Sequence, residues 1–337
     1  MSQYCTRSGF VNLDSARQSE IEAKHSERRS PAPSGQSKDE DRFDTVAASL
    51  NSQNLTGCSI TLFSPAKLNL FFRVLYKRED GFHEIASLYQ AISLGDTLTV
   101  SLAEDDLLTC TDPNVPCDSS NLIFKALDAY RRQTGNVFKV HIHLDKKVPM
   151  QAGLGGGSGN AATAMWAFNA LSSRPVPEEV LSEWVGAFSS DAPFFFSQGA
   201  AYCRGRGEKI ENIGKMPDTK LWIAKPQEGL STPLVYRHCR PSEFPQRDPD
   251  QFLTELVSGN PCYFNDLEVP AFSLMPSLAR LKDQLLEQGF SHATMTGSGT
   301  AFFCLGPKPS SQIPGIDFYP ASFVSRSNGN WYEFPSV

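Results

Sequence analysis

The sequence of 337 residues lacks several features that mark well-defined classes of protein. It has no apolar run near the ~18 residues that a membrane-spanning helix requires. It has no long basic run and carries a net charge of −6, so an extended surface for nucleic acid is not expected. Its eight cysteines form no Cys-x-x-Cys pair and no dense disulfide framework, and we expect them to be reduced. These absences favour a globular protein that binds any anion through local geometry.

The first 55 residues contain little that can form a core. They include ten serines, seven Lys or Arg and eight Asp or Glu, and they lack the apolar segment of a secretory signal. We predict a disordered leader over residues 1–55. Its position suits a transit peptide, whereas its acidic residues do not, because transit peptides are poor in acids. Import into an organelle and a cytoplasmic location therefore both remain open from this segment.

A glycine-rich loop lies between a predicted strand and a predicted helix. Residues 138–144 alternate apolar and polar side chains, which is typical of a β-strand. Five glycines follow between Gly153 and Gly159, and residues 160–171 are rich in helix formers. Glycine lets the backbone approach a ligand closely, and a helix N-terminus presents free N–H groups to an anion. This order of elements predicts a phosphate-binding loop.

Two common phosphate loops do not fit this segment. A P-loop requires Gly-Lys-Ser/Thr after four intervening residues, and Ser158 stands there with no lysine after it. The dinucleotide fingerprint fits Gly153 and Gly155 but has Ser158 in place of its third glycine. A dinucleotide-dependent oxidoreductase is therefore a weak alternative, and the ordered flanks disfavour a flexible linker.

Three polar residues in apolar surroundings are candidates for a functional role. Lys67 lies within a long apolar run and needs a carboxylate, a phosphate or a route to solvent. Asn69 points to the same face of the predicted strand, because alternate residues share a face. Asp191 precedes a proline and three phenylalanines, where lost solvation raises the basicity of a carboxylate unless a cation compensates. A solvated lysine at a strand edge and a capping aspartate are the simpler alternatives.

The second half of the chain alternates strands and helices, with a second glycine turn between strands at residues 293–305. We place a domain boundary in the turn-rich segment 204–217, and we predict a closing strand at about residues 331–333. The expected fold class is α+β, with domains at residues 56–215 and 216–337.

Three separated motifs resemble the signatures of the GHMP kinase superfamily, and four more resemble the 4-diphosphocytidyl-2-C-methyl-D-erythritol kinase family within it. The three signatures are Ser64-Pro-Ala-Lys-Leu-Asn-Leu, Pro149-x-x-Ala-Gly-Leu-Gly-Gly-Gly-Ser and Met295-Thr-Gly-Ser-Gly-Thr. The four family motifs are Asp80-Gly-Phe-His-Glu-Ile, Ser190-Asp-Ala-Pro-Phe-Phe, Ala201-Tyr-Cys-Arg-Gly-Arg-Gly-Glu and Asn265-Asp-Leu-Glu. The resemblance extends over most of the chain, from about residue 62 to residue 332, in the family's order. It implies a two-domain GHMP kinase fold, with an N-terminal α/β ATP-binding domain and a C-terminal ferredoxin-like α+β domain.

The resemblance also implies a reaction and a set of site residues. The reaction is transfer of the γ-phosphoryl group of ATP, with Mg²⁺, to the 2-hydroxyl of a cytidine-diphosphate-linked methylerythritol, a step of non-mevalonate isoprenoid biosynthesis. The implied catalytic residues are Lys67 and Asp191, with Asp191 taking the hydroxyl proton. The implied ATP-binding residues are Pro149, Gly153, Leu154, Gly155, Gly156, Gly157, Ser158 and Gly159, and Ser158 is also the implied magnesium ligand. The implied substrate-binding residues are Asn69, Phe82, His83, Thr232 and Tyr236.

Within this implied site the cytosine stacks between Phe82 and Tyr236. Neither nucleic acid nor a membrane is an expected partner, and the enzyme is expected to be a monomer or a homodimer. The sequence of the glycine loop is most similar to that of plant and algal members, which implies a plastid location.

Three positions depart from the family's usual pattern. Phe82 replaces a usual tyrosine, which removes a hydroxyl contact but keeps a ring for stacking. Gly159 replaces a second serine, and Ser189 replaces a usual glycine before the Ser-Asp pair. Because of the last two, a nucleotide-binding protein with lost or altered catalysis is one alternative. A kinase for another small alcohol, such as mevalonate or homoserine, is the second; the aromatic residues disfavour it, because those substrates have no base to stack.

Overall fold

The computed structural model describes residues 59–335, which belong to one compact unit. The leader predicted over residues 1–55 lies outside the described residues. Within residues 59–335, no helix combines the length and the apolar character needed to cross a membrane. The boundary between residues 56–215 and 216–337 stays a prediction, since both segments contribute to the same unit.

A long antiparallel hairpin of strands β1 (Ser59–Lys77) and β2 (His83–Ala103) forms the centre of the first sheet. The two strands are joined at the predicted turn, where Gly81 has a φ of 85° and the Asp80 carboxylate accepts a hydrogen bond from the Phe82 N–H. Pro65 does not end β1, because the pairing register shifts between Pro65 and Ala66 and so absorbs the proline in a bulge. Most of β1 is buried, as its apolar sequence requires.

Within the described residues the first sheet has seven strands. Besides β1 and β2 these are β3 (Leu107–Cys110), β4 (Lys139–Asp145), β5 (Ala200–Gly205), β6 (Lys209–Asn212) and β8 (Phe264–Asn265). The central order is β3-β4-β2-β1-β8, and β5 and β6 extend the sheet beside the first half of β2. The pairs β1–β8 and β3–β4 are parallel. Strand β4 is the one predicted from alternation, and its buried and exposed residues do alternate.

Three helices pack against one face of this sheet: α1 (Leu122–Thr134), α2 (Gly156–Ala170) and α3 (Glu178–Gly186). Helix α1 begins after Asn121, whose side chain accepts a hydrogen bond from the Ile123 N–H. Helix α2 begins inside the glycine loop, before the start predicted at residue 160, so the end of the loop forms its first turn. A short 3₁₀ helix (Ala192–Phe196) follows Asp191 and packs against α2 and α3.

The second sheet has four antiparallel strands in the order β11-β7-β10-β9. These strands are β7 (Lys220–Pro226), β9 (His292–Met295), β10 (Phe302–Leu305) and β11 (Ile316–Ser322). The helices between β7 and β9 are α4 (Thr232–His238), α5 (Pro249–Val257), α6 (Glu268–Leu274) and α7 (Pro276–Glu287). This is the β-α-β-β part of a ferredoxin-like arrangement, and a loop over residues 306–315 stands where that arrangement has its second helix.

The closing strand predicted at residues 331–333 is wrong. These residues form no strand, and Trp331 and Tyr332 are buried in the core beneath the first sheet. The Trp331 indole N–H donates a hydrogen bond of 2.9 Å to the Phe63 carbonyl. The apolar composition that suggested a strand therefore comes from two large aromatic residues that are buried in the core.

A separate core connects the two sheets. It includes Leu68 and Phe71 of β1 together with Ile223 of β7 and Phe303 of β10. Arg73 of β1 forms a buried ion pair with Asp266, in which its Nη1 lies 2.9 Å from Oδ2 of Asp266. The long hairpin is thus packed on both faces, and the candidate site lies where its Lys67 meets the glycine loop.

Candidate active site

The glycine loop is fixed directly to strand β1 beside Lys67. The Lys67 backbone N–H donates a hydrogen bond of 2.9 Å to the Leu154 carbonyl. Gly155 has a φ of 67°, and a Cβ placed there would lie 2.9 Å from Cγ of Lys67. Gly153 has a φ of 73°, and a Cβ there would lie 2.0 Å from the Thr296 carbonyl oxygen. Glycine is therefore required at both positions, by conformation and by close packing.

The Lys67 ammonium group lies between a carboxylate and an amide. Its Nζ is 3.6 Å from Oδ2 of Asp191 and donates a hydrogen bond of 2.8 Å to Oδ1 of Asn69. Lys67 is 2% exposed, so burying this charge requires partners, and these two oxygens supply them. The Asp191 side chain is 32% exposed and faces the cavity described below. The simpler alternatives, a solvated lysine and a capping aspartate, do not describe this pair: Asp191 makes no side-chain capping hydrogen bond.

Asn69 is buried behind Lys67 and does not line the cavity. Its Nδ2 donates a hydrogen bond of 2.9 Å to Oγ of Ser87, and its backbone N–H donates one of 3.1 Å to Oγ1 of Thr296. The amide is thus satisfied by protein groups. This arrangement orients the Lys67 ammonium, whereas the sequence interpretation assigned Asn69 to direct contact with the substrate.

Tyr89 is part of the same cluster, and the sequence interpretation missed it. Its hydroxyl donates a hydrogen bond of 3.1 Å to Oδ1 of Asp191, and its ring centroid lies 4.7 Å from Nζ of Lys67. Burial, and secondarily the charge of Asp191, raise the pKa of the Tyr89 phenol well above its usual value. Tyr89 pairs with Asn69 across the β1–β2 hairpin, a register that the structure shows and the sequence alone does not specify.

The first turn of α2 presents the N–H groups that a phosphate would meet. The first hydrogen bond of the helix is donated by the Gly159 N–H to the Gly155 carbonyl over 2.8 Å. The N–H groups of the residues just before Gly159 have no partner within the helix. The Gly159 N–H is therefore already bonded within the helix, whereas the resemblance implied Gly159 among the ATP-binding residues. Gly159 is also absent from the cavity wall, and a Cβ there would lie 2.7 Å from the Pro65 carbonyl oxygen.

Ser158 and Ser189 form a hydroxyl pair beside this turn. The Ser189 Oγ donates a hydrogen bond of 3.0 Å to the Ser158 Oγ. Ser158 lines the cavity, whereas Ser189 lies behind it. The unusual serine before the Ser-Asp pair thus contacts the residue implied as the magnesium or phosphate ligand.

Aromatic and basic side chains gather at the other end of the site. The rings of His83 and Tyr236 have centroids 5.2 Å apart, and the Arg206 guanidinium lies 4.9 Å from the Phe82 ring centroid. Burial, and then the charge of Lys77, lower the pKa of His83 below its usual value, so the imidazole is neutral at neutral pH. Phe82 is 52% exposed at the mouth of the cavity.

The second glycine turn, at residues 293–305, closes the site from the second sheet. The hydroxyls of Thr232 and Ser298 are 2.6 Å apart, and both residues line the cavity. Asn265 fixes the turn, because its Nδ2 donates hydrogen bonds of 2.7 Å to the carbonyls of Met295 and Gly297. The motifs around residues 265 and 295 therefore hold this turn in place, a structural role that was not apparent from the sequence.

One cavity of about 880 Å³ joins these features. Its wall includes most of the residues named from the sequence: Lys67, Phe82, His83, Pro149, Gly153, Leu154, Gly155, Gly156, Gly157, Ser158, Asp191, Thr232 and Tyr236. Beyond the glycine loop it is lined by Val115 and Pro116, which precede α1, and by Leu122, the first residue of α1. The cavity thus has an apolar end, a glycine-rich and charged centre, and an aromatic and basic end.

Family comparisons define the class of protein. The GHMP kinases N terminal domain model matches residues 121–199, and the GHMP kinases C terminal model matches residues 243–323. A crystal structure of 4-(cytidine 5'-diphospho)-2C-methyl-D-erythritol kinase has a TM-score of 0.68 and 32% identity, covering 79% of this chain and 100% of that chain. A homoserine kinase structure from Cytophaga hutchinsonii, at 19% identity, a TM-score of 0.58 and coverage of 82% and 98%, shares the fold. The fold is that of a two-domain GHMP kinase.

Curated relatives narrow the class. A 4-diphosphocytidyl-2-C-methyl-D-erythritol kinase from Protochlamydia amoebophila (strain UWE25) is 48% identical over 275 residues, covering 81% of this chain and 93% of the relative. A chloroplastic protein of the same name from Arabidopsis thaliana is 44% identical over 296 residues, covering 82% and 77%. The chain belongs to the 4-diphosphocytidyl-2-C-methyl-D-erythritol kinase family, a family of small-molecule kinases that use ATP.

Proposed function

We propose that the chain transfers the γ-phosphoryl group of ATP to the 2-hydroxyl of 4-diphosphocytidyl-2-C-methyl-D-erythritol. The observation that carries this proposal is the buried Lys67 beside Asp191, 3.6 Å apart, in one cavity with the glycine loop. Such a pair sits between a site for phosphates and a site for an alcohol. Phosphoryl transfer depends mainly on positioning and on charge stabilisation, and both are available here.

In this proposal, each group of the site has one task. Asp191 accepts the proton of the attacking hydroxyl, and Lys67 pairs with Asp191 and polarises the same hydroxyl. The free N–H groups of residues 155–158 bind the phosphates at the positive end of the α2 dipole. Asn69 orients Lys67, and Gly159 gives α2 close contact with β1. The loop needs no P-loop lysine, because Lys67 acts at the hydroxyl.

Mg²⁺ fits the donor set of the cavity. The Ser158 hydroxyl and the Asp191 carboxylate both face it, and magnesium is commonly held by one or two protein oxygens together with substrate phosphates. Bound there, the ion would neutralise charge on the transferred phosphoryl group. We propose Ser158 as the protein ligand, oriented by its hydrogen bond from Ser189.

The aromatic and basic end suits the cytidine diphosphate part of the acceptor. Phe82 and Tyr236 offer ring faces for stacking, and stacking of a base on an aromatic ring contributes ~1–3 kcal/mol. Neutral His83 offers one donor and one acceptor, which complements the edge of cytosine. Arg206 and Arg237 line the same cavity and suit a diphosphate. Thr232 completes this end, and the apolar end beyond the loop suits the base of ATP.

The direct test is ADP release by a protein containing residues 56–337. With ATP, Mg²⁺ and the cytidyl substrate we expect ADP above background, and we expect CDP to compete with that substrate. ADP formed instead with mevalonate or homoserine, without competition by CDP, would assign the site to another small alcohol. Binding of ATP without turnover of any alcohol would favour a nucleotide-binding protein.

The proposed catalytic roles predict large losses of activity. Asp191→Asn removes the base and should lower kcat about 10²- to 10⁴-fold, and Lys67→Ala should lower it about 10²- to 10³-fold. The matched controls are Asp105→Asn and Lys139→Ala, which change charged side chains outside the cavity. Steady-state kinetics with thermal unfolding as a check on folding measures both effects. Unchanged kcat in Asp191→Asn and Lys67→Ala would contradict the roles.

We propose a plastid location, which the chloroplastic relative from Arabidopsis thaliana supports. A fluorescent reporter fused after residues 1–60 should accumulate in plastids, and a reporter that stays in the cytosol would count against import. For the assembly we propose a monomer or a homodimer, which light scattering of the purified protein distinguishes.

A further inference from the structure

We propose that Tyr89 is a positioning residue for Asp191: its hydroxyl holds one carboxylate oxygen so that the other faces Lys67 and the attacking hydroxyl. This inference rests on the function proposed above and adds a residue to its machinery. The two carboxylate oxygens have different partners. Oδ1 accepts the Tyr89 hydrogen bond over 3.1 Å, and Oδ2 is the atom 3.6 Å from Nζ of Lys67.

Tyr89 is itself rigidly held. It is 1% exposed and lies on β2, the central neighbour of the strand that carries Lys67. Its ring centroid lies 5.3 Å from that of Phe194, in the 3₁₀ helix that follows Asp191. The same ring lies 4.7 Å from the Lys67 ammonium. One side chain therefore contacts the lysine, the aspartate and the segment that carries the aspartate.

A hydrogen bond to one oxygen matters because the terminal torsion of aspartate has a broad energy minimum. The Asp191 side chain is also 32% exposed, so packing alone does not select its orientation. A neutral phenol that donates to an ionised carboxylate forms a strong, charge-assisted bond. Burial and the charge of Asp191 raise the phenol pKa, so Tyr89 remains a donor throughout the working pH range.

In phosphoryl transfer through a loose transition state, catalysis depends mainly on positioning and on charge stabilisation. We therefore expect removal of the Tyr89 hydroxyl to lower the rate, because the carboxylate of Asp191 loses its fixed orientation.

The test is Tyr89→Phe, which keeps the ring and its contacts and removes only the hydroxyl. We expect kcat at neutral pH to fall about tenfold, with KM for ATP unchanged. We also expect KM for the cytidyl substrate to be unchanged, so that the whole loss falls on kcat. The matched control is Tyr202→Phe: that hydroxyl donates 2.9 Å to Asp250, away from the cavity wall. It should leave kcat and both KM values unchanged.

An unchanged kcat in Tyr89→Phe, or an equal fall in Tyr202→Phe, would overturn the proposal, whereas a purely structural role would lower stability without a selective fall in kcat. A second measurement does not depend on turnover. In protein labelled with ¹³C at the tyrosine Cζ atoms, the Tyr89 resonance, assigned with Tyr89→Phe, should differ between the wild-type protein and Asp191→Asn at the same pH, and the Tyr202 resonance should not. A Tyr89 resonance at the same position in both proteins would overturn the Tyr89–Asp191 bond. A wild-type protein that releases no ADP would overturn the proposed function alone.

Discussion

At the scale of single residues, the hydroxyl of Ser189 supports the glycine loop through Ser158. The loop has Gly159 in place of a second serine, and Ser189 supplies a hydroxyl from the neighbouring segment, 3.0 Å from Oγ of Ser158. By accepting this bond, the Ser158 hydroxyl keeps its own proton and its second lone pair for phosphate or metal. The departure at Ser189 therefore supports a group of the proposed ATP site and does not by itself indicate lost catalysis.

Ser189→Ala should weaken the ATP side of the reaction. Loss of one neutral hydrogen bond costs about 1 kcal/mol, so KM for ATP should rise about fivefold while KM for the cytidyl substrate stays constant. Ser182→Ala on α3 is a suitable control, because Ser182 does not line the cavity. Steady-state kinetics over a range of Mg²⁺ concentrations measures the effect. Equal KM values for ATP in the two variants would show that Ser189 does not orient Ser158.

Single residues also show how far the sequence determines the site. Strand alternation predicted that Lys67 and Asn69 share a face, and a 2.8 Å hydrogen bond joins them. The burial of Asn69 and the contact of Tyr89 with Asp191 were not predictable in the same way. Both depend on the register between β1 and β2 and on where Asp191 returns to the sheet, and a single sequence does not specify such distant pairings.

At the scale of elements, helix α2 shows tertiary contact overriding local preference. Helix propensity penalises glycine, which is why the sequence predicted a start at residue 160 after the glycine run. The structure starts the helix at Gly156, since Gly159 packs against the Pro65 carbonyl and the Phe195 ring of the neighbouring segments. The glycines are thus divided between a loop with positive φ at Gly153 and Gly155 and a closely packed first turn.

This division predicts opposite effects for two alanine substitutions in the same turn. A Cβ at Gly159 would lie 2.7 Å from a backbone oxygen, so Gly159→Ala should lower the free energy of unfolding by about 1–3 kcal/mol. A Cβ at Gly157 meets its nearest atom, on Leu122, at 3.7 Å, so Gly157→Ala should be neutral or raise the free energy by about 0.5 kcal/mol. Urea unfolding without nucleotide compares them. Similar effects in both variants would contradict the packing argument.

At the scale of the whole molecule, the predicted domain boundary does not coincide with a gap in the core. The α+β fold class and the alternation of strands and helices were predicted from periodicity and from the motifs. The apolar residues of β1 and β2, however, face two partners: the helices beneath the first sheet and the inner face of the second sheet. Composition identifies such strands as buried but does not identify what covers each face.

The shared core predicts that residues 56–337 unfold as one cooperative unit. Leu127 lies in the core of the first sheet, and Leu281 lies in the core between the second sheet and its helices. Leu→Ala in either core should lower the free energy of unfolding by about 2–5 kcal/mol. Because β1 contributes to the core that joins the sheets, each substitution should shift a single transition and leave its calorimetric and van't Hoff enthalpies equal. The contradicting result would be an unfolding transition in two parts, with Leu127→Ala shifting one part and Leu281→Ala shifting the other. Residues 56–215 and 216–337 would then be independent folding units, and the cavity between the loop and the second sheet would open without global unfolding.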